Sequence, residues 1–194
     1  FPHPIWESLG KGSTASLDVV RSEITSRLRA CSGRRERIVS KNLTNARMIG
    51  VIGRLFPKAK VISLNRDPAD IALSIWANTF ALEPMPWSAR LEDIGHFMRI
   101  HDQLVARLRA VVPNPWLEVN YADLAKNPEP AIRELIGFID LDWEETCLRP
   151  EKVETDTRGG RFEPTLSYQQ VRSPINTGSL GRAAKYGAML DPLR

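Results

Sequence analysis

A chain of 194 residues, 42% hydrophobic and 26% charged, has the length and balance of a folded domain with its own core, which excludes a disordered or low-complexity protein. Its 27 basic and 23 acidic residues leave a net charge of +4, a surplus that suits an anionic ligand and is too small to mark nucleic acid as a partner. No apolar run is long enough for a membrane span. Cys31 and Cys147 do not make a disulfide framework, so a reducing, cytoplasmic setting is expected.

The chain opens Phe-Pro-His-Pro without a methionine, so residues 1–194 are expected to form one domain that is incomplete at its N-terminus. Leu17, Val20, Ile24, Leu28 and Cys31 recur at three- and four-residue steps and predict an amphipathic helix over 15–31. Arg37-Ile38-Val39-Ser40 is expected to be a short strand with Lys41 at its end. Thr44 or Asn45 can cap a second helix that ends at Pro57, and its glycines, Gly50 and Gly53, imply a closely packed neighbour.

Val61-Ile62-Ser63-Leu64 reads as a second strand that runs into Asn65-Arg66-Asp67-Pro68 and a helix to about Phe80. A long helix is predicted from Ser88 to about Val112, a third strand over Trp116–Asn120, and a helix from Pro128 to Ile139 capped by Asn127. Residues 149–166 lack a period and read as a long surface loop. Trp76 and Phe80 are expected in the core, while Met85 and Trp87 belong either to the core or to an acceptor site. Strands alternating with helices predict an α/β fold, a parallel sheet flanked by helices.

Ligands of such sheets lie beyond the carboxyl ends of the strands. Those ends are Ser40-Lys41, Asn65-Arg66 and Asn120-Tyr121, each with a residue able to meet an anion or a hydrogen-bonding ligand. Arg66 offers a guanidinium fork beside a helix start that Asp67 caps and Pro68 fixes. Ser74 lies two turns on, on the same side as Asp67. Arg66 can equally pair with Asp70, a surface salt bridge worth about 0–1 kcal/mol. Lys41 is either a charge for a transferred group or a solvated lysine, and Tyr121 either a ligand contact or a cap on the sheet edge. Ser167-Tyr168-Gln169-Gln170-Val171-Arg172 and Gly178-Ser179-Leu180-Gly181-Arg182 are polar clusters that could wrap a nucleotide or form an ordinary C-terminal loop. His96 and His101 do not share a helix face, so no metal site is expected.

Taken together, these segments resemble the sulfotransferase family, which uses 3′-phosphoadenosine 5′-phosphosulfate (PAPS) as sulfuryl donor. The likeness is to its bacterial branch, often fused to tetratricopeptide repeats and related to tyrosylprotein sulfotransferases. The resemblance implies a P-loop-NTPase-like core and a 3′-phosphate site made by Arg66 and Ser74. It implies that Lys41 stabilises the reacting sulfuryl group and that Tyr121 contacts the nucleotide. Ser167, Gln170, Val171, Arg172, Gly181 and Arg182 would form a C-terminal wall over it. The partners implied are the nucleotide donor and an acceptor hydroxyl, with no metal.

Two features depart from the pattern. Ser40-Lys41-Asn42-Leu43 stands where the family has Asp-Lys-x-Pro, and the 5′-phosphosulfate loop and the glutamate base are expected ahead of residue 1. Two other readings stand beside this one. One is a non-catalytic anion- or nucleotide-binding module using the basic stretch Arg27–Arg37; the other is a nucleotide-dependent phosphoryl-transfer kinase.

Overall fold

The structure, a computed structural model, describes residues 14–32, 37–42, 44–78, 85–152 and 173–193. The chain divides into two compact units, residues 1–59 with 105–115 and residues 60–104 with 116–194.

The first unit is built on two helices, α1 (Thr14–Ser32) and α2 (Asn45–Leu55). The apolar period read from the sequence supplies its core: Leu17, Val20 and Leu55 are buried, with Ile24, Val51 and Phe56 packed against them. Arg21 closes the end of α2 by donating from Nε to the Leu55 carbonyl at 2.6 Å. Asn114 does the same for the chain that follows, donating from Nδ2 to the carbonyls of Phe56 and Ala59 at 2.9 and 2.7 Å. A Cβ on Gly53 would lie 2.9 Å from Asn114 Oδ1 and 3.1 Å from Val112, which is the close neighbour the glycines implied.

Residues 37–40 do not form the expected strand: the segment is irregular and exposed, with Val39 88% accessible. Among the described residues the sheet consists of two other strands and does not extend to Ile38 and Val39, and β-branched residues favour a strand only where a neighbouring strand pairs with them. Asn42 organises the turn beyond. Its Oδ1 accepts from the Thr44 N–H and hydroxyl, both at 2.9 Å, and Asn45 Nδ2 donates to the Ser40 carbonyl at 3.0 Å. Thr44 occupies the cap position of α2 without a side-chain cap bond.

The second unit holds a parallel pair of strands, β1 (Val61–Asn65) and β2 (Trp116–Asn120), in register from Val61 opposite Trp116 to Asn65 opposite Asn120. The crossover between them carries α3 (Pro68–Trp76), a 3₁₀ turn (Pro86–Ala89) and α4 (Leu91–Arg109). The long helix expected from Ser88 therefore begins at Leu91, after a separate turn in which Ser88 Oγ donates to the Met85 carbonyl. Ile94 is fully buried, and Trp87 stacks on Phe97 at 3.8 Å between ring centroids. Trp76, the last residue of α3, is 42% exposed rather than core; Phe80 lies outside the described residues.

After β2 come α5 (Tyr121–Lys126), which the sequence had not suggested, and α6 (Pro128–Phe138). Asn120 starts α5 by accepting the Ala122 N–H at 2.8 Å. Asn127 sits at the start of α6 as expected, yet its side chain makes no cap bond; its own N–H donates back to Asp123. Lys60 reaches the far end of α6, bonding the Phe138 carbonyl at 2.6 Å and the Asp140 carboxylate. Two further 3₁₀ turns, Arg182–Lys185 and Gly187–Leu193, end the unit. Among the described residues no helix is long and apolar enough to cross a membrane.

Candidate functional site

The carboxyl ends of β1 and β2 lie side by side, since Asn65 and Asn120 are partners in register. The next residue of each strand is a candidate from the sequence, Arg66 and Tyr121, and parallel pairing brings the two together. The Arg66 guanidinium carbon lies 4.9 Å from the Tyr121 ring centroid, a cation–π stack worth about 0.5–2 kcal/mol.

Asp67 caps α3, accepting the Asp70 N–H at 2.9 Å, and Pro68 takes the first helical position, both as the sequence predicts. That start sets Asp70 one turn along, where its side chain is 1% exposed and lies 3.7 Å from Arg66 Nη2. The salt-bridge alternative is thus present, but the carboxylate is no surface group. Its main partners come from the C-terminal segment. The Gly181 N–H donates to Oδ2 at 2.7 Å and the Ala183 N–H to Oδ1 at 2.8 Å. Bonds from N–H groups to an ionised carboxylate are among the stronger hydrogen bonds, and here they offset the cost of burying the charge.

The same segment reaches Arg66 and Tyr121 directly. Arg66 Nη2 donates to the Ser179 carbonyl, and the Tyr121 and Ser179 hydroxyls are 2.7 Å apart. Arg66, Asp70, Tyr121, Ser179 and Gly181 therefore form one cluster, in which Arg66 is 20% exposed and its Nε is buried without a hydrogen-bond partner among the described residues. An orphaned N–H on a charged fork is costly, and an anion is the natural acceptor for it. Gly181 adopts φ 67°, the left-handed conformation that glycine enters without a Cβ penalty.

The other candidates fall elsewhere. Ser74 is half-buried on α3, where its carbonyl accepts from Asn78 Nδ2 at 2.5 Å; its hydroxyl makes no hydrogen bond to Arg66. Arg182 is exposed in the turn that Ala183 anchors. Lys41 belongs to the first unit and stands on the exposed turn after residues 37–40, not at a strand end. Ser167, Gln170, Val171 and Arg172 lie outside the described residues. The sequence reading missed Asp70 as an anchor and Ser179 as the contact to both Arg66 and Tyr121. Ser179 carried a faint signal inside its glycine-flanked polar cluster, whereas Asp70 read only as a surface salt-bridge partner for Arg66.

The model of the sulfotransferase family matches residues 11–145, a span that holds Lys41, Arg66, Ser74 and Tyr121. The chain is 33% identical over 159 residues to an uncharacterized protein of Aquifex aeolicus, across 81% of this chain and 20% of that one. It is 21% identical over 147 residues to a protein-tyrosine sulfotransferase of Drosophila melanogaster, covering 75% of this chain and 30% of that protein. It is 26% identical over 168 residues to a putative protein-tyrosine sulfotransferase of Caenorhabditis elegans, covering 84% and 62%. The chain thus spans from a fifth to under two-thirds of the length of these relatives. With an α/β unit of parallel strands and a family match across most of its length, the chain belongs to the sulfotransferase family.

Proposed function

We propose that this chain carries the donor-binding part of a PAPS-dependent sulfotransferase with a P-loop-NTPase-like core. The observation that carries the reading is Arg66: a guanidinium at a strand end, stacked on Tyr121, beside the capped start of α3, with a buried Nε that has no acceptor among the described residues. That orphaned donor fits a phosphate oxygen, so Arg66 is assigned the 3′-phosphate of the nucleotide, with Ser74 adding its hydroxyl. A phosphate on the ribose is remote from the reacting sulfur, and holding it keeps the donor in register.

When bound, the donor supplies the sulfuryl group that passes to the acceptor oxygen. Lys41 is assigned the charge that develops on the departing oxygen, and Tyr121 a contact to the nucleotide. Gly181 and Arg182, with Ser167, Gln170, Val171 and Arg172, are assigned the C-terminal wall. The acceptor is a hydroxyl; two relatives bear names specifying protein tyrosine, which makes a tyrosine-containing peptide the first acceptor to try.

Calorimetry of the full chain with 3′-phosphoadenosine 5′-phosphate tests the assignment. Binding is expected to be measurable, and to weaken about 10- to 100-fold in Arg66→Ala, the loss of a charged hydrogen-bonded pair. Unchanged affinity in that variant would remove the basis of the reading.

A further inference from the structure

We propose that Asp70 is a positioning residue: its buried carboxylate clamps the C-terminal segment against Arg66 and so builds the nucleotide site from two distant parts of the chain. The inference rests on the donor-binding reading above and adds to it the residue that holds the site together.

The geometry is specific. Asp70 is 2% exposed, on the first turn of α3, and its two carboxylate oxygens take one backbone N–H each, from Gly181 and from Ala183. These donors are 111 and 113 residues away in sequence, so the contact is tertiary and not part of any local turn. A carboxylate only accepts, and two N–H donors spaced by one residue fit its two oxygens without strain on the side chain. Together they fix the backbone from Gly181 to Ala183.

Ser179 is two residues from Gly181 on the same strap. Its carbonyl accepts from Arg66 and its hydroxyl bonds the Tyr121 hydroxyl at 2.7 Å. The guanidinium is therefore held by the Tyr121 ring, by the Ser179 carbonyl and, at 3.7 Å, by Asp70 itself. Removing the carboxylate would leave the strap attached near Arg66 through Ser179 alone, and Arg66 without its nearest counter-charge. The left-handed Gly181 is the second requirement, because it turns the backbone so that both N–H groups converge on one side chain.

Two variants of the full chain test this. Asp70→Asn keeps the shape but loses the charge and one acceptor oxygen. Gly181→Ala meets no atom within 4 Å, so it acts only through the left-handed backbone penalty and keeps Asp70 intact. Hydrogen exchange at the Gly181 and Ala183 amides reads the clamp without any ligand. Calorimetry with 3′-phosphoadenosine 5′-phosphate and with adenosine 5′-monophosphate reads its effect on the site.

Both variants are expected to speed exchange at those amides about tenfold, Asp70→Asn more than Gly181→Ala. Both should weaken the bisphosphate about tenfold and the monophosphate, which lacks the 3′-phosphate, by clearly less. An equal loss for both nucleotides would reduce Asp70 to general stability and overturn the positioning role. Fast exchange with unchanged bisphosphate affinity would overturn it too, because the strap would then be no part of the site. If the unmodified chain bound no bisphosphate, the donor reading itself would fall and the role with it; the exchange measurement would show separately whether the clamp exists.

Discussion

Arg66 is held for a planar, forked contact: its ring stack, its bond to Ser179 and its orphaned Nε all depend on guanidinium geometry. Charge alone does not reproduce that. Arg66→Lys is therefore expected to bind 3′-phosphoadenosine 5′-phosphate about tenfold more weakly than the unmodified chain, measured by calorimetry, although the net charge is the same. Asn114 is a second residue with a role out of proportion to its size. It is 7% exposed and donates to the carbonyls of Phe56 and Ala59 just beyond the end of α2. Asn114→Ala takes this donor from the half-buried Ala59 carbonyl, while the Phe56 carbonyl keeps the Ala59 N–H at 2.9 Å, and urea denaturation should show a loss of about 1–3 kcal/mol.

At the scale of elements, α3 is set by its first four residues. Asp67 caps it, Pro68 begins it, and Asp70 ties its first turn to the C-terminal turns. Asp67→Ala is expected to cost about 0.5–2 kcal/mol in chemical denaturation, the usual loss of a capping bond. Where α4 meets the last turn, Gly187–Leu193, the contact is backbone to backbone. A Cβ on Gly95 would stand 2.3 Å from the Leu193 carbonyl oxygen, which Arg99 Nη1 also bonds at 2.9 Å. Gly95→Ala gains some helix propensity but forces that turn away from α4. The net effect expected is a destabilisation of about 1–3 kcal/mol, with faster hydrogen exchange over Gly187–Leu193.

At the scale of the whole molecule, the proposed donor-binding reading requires that the ligand be recognised by its ribose phosphate rather than by a triphosphate. A ligand that binds only the folded chain stabilises it by about 2.7 kcal/mol at a hundredfold excess over its Kd. Thermal unfolding with 3′-phosphoadenosine 5′-phosphate should therefore shift upward by about 5–10 °C, whereas ATP at the same concentration should give little change. The reverse order would favour a phosphoryl-transfer kinase.

Much of this was written in local patterns. The three-and-four spacing of Leu17, Val20 and Ile24, the Asp67-Pro68 start of α3 and the strand before Arg66 depend on neighbours in sequence, so side-chain period and capping chemistry reveal them. The closely packed neighbour of Gly53 was legible for a similar reason, since glycine inside a helix is unfavourable without a contact that requires it. The strand expected at Arg37–Ser40 failed because a strand needs a partner, and partners are not local. Asp70 shows the same limit at the site: in sequence it is a surface salt-bridge partner for Arg66, and only the return of Gly181 and Ala183 makes it a buried anchor. Sequence by itself determined the helices other than α5, the second and third strands and the family; tertiary structure decided which polar groups meet, because burial and long-range hydrogen bonds exist only once distant segments are brought together.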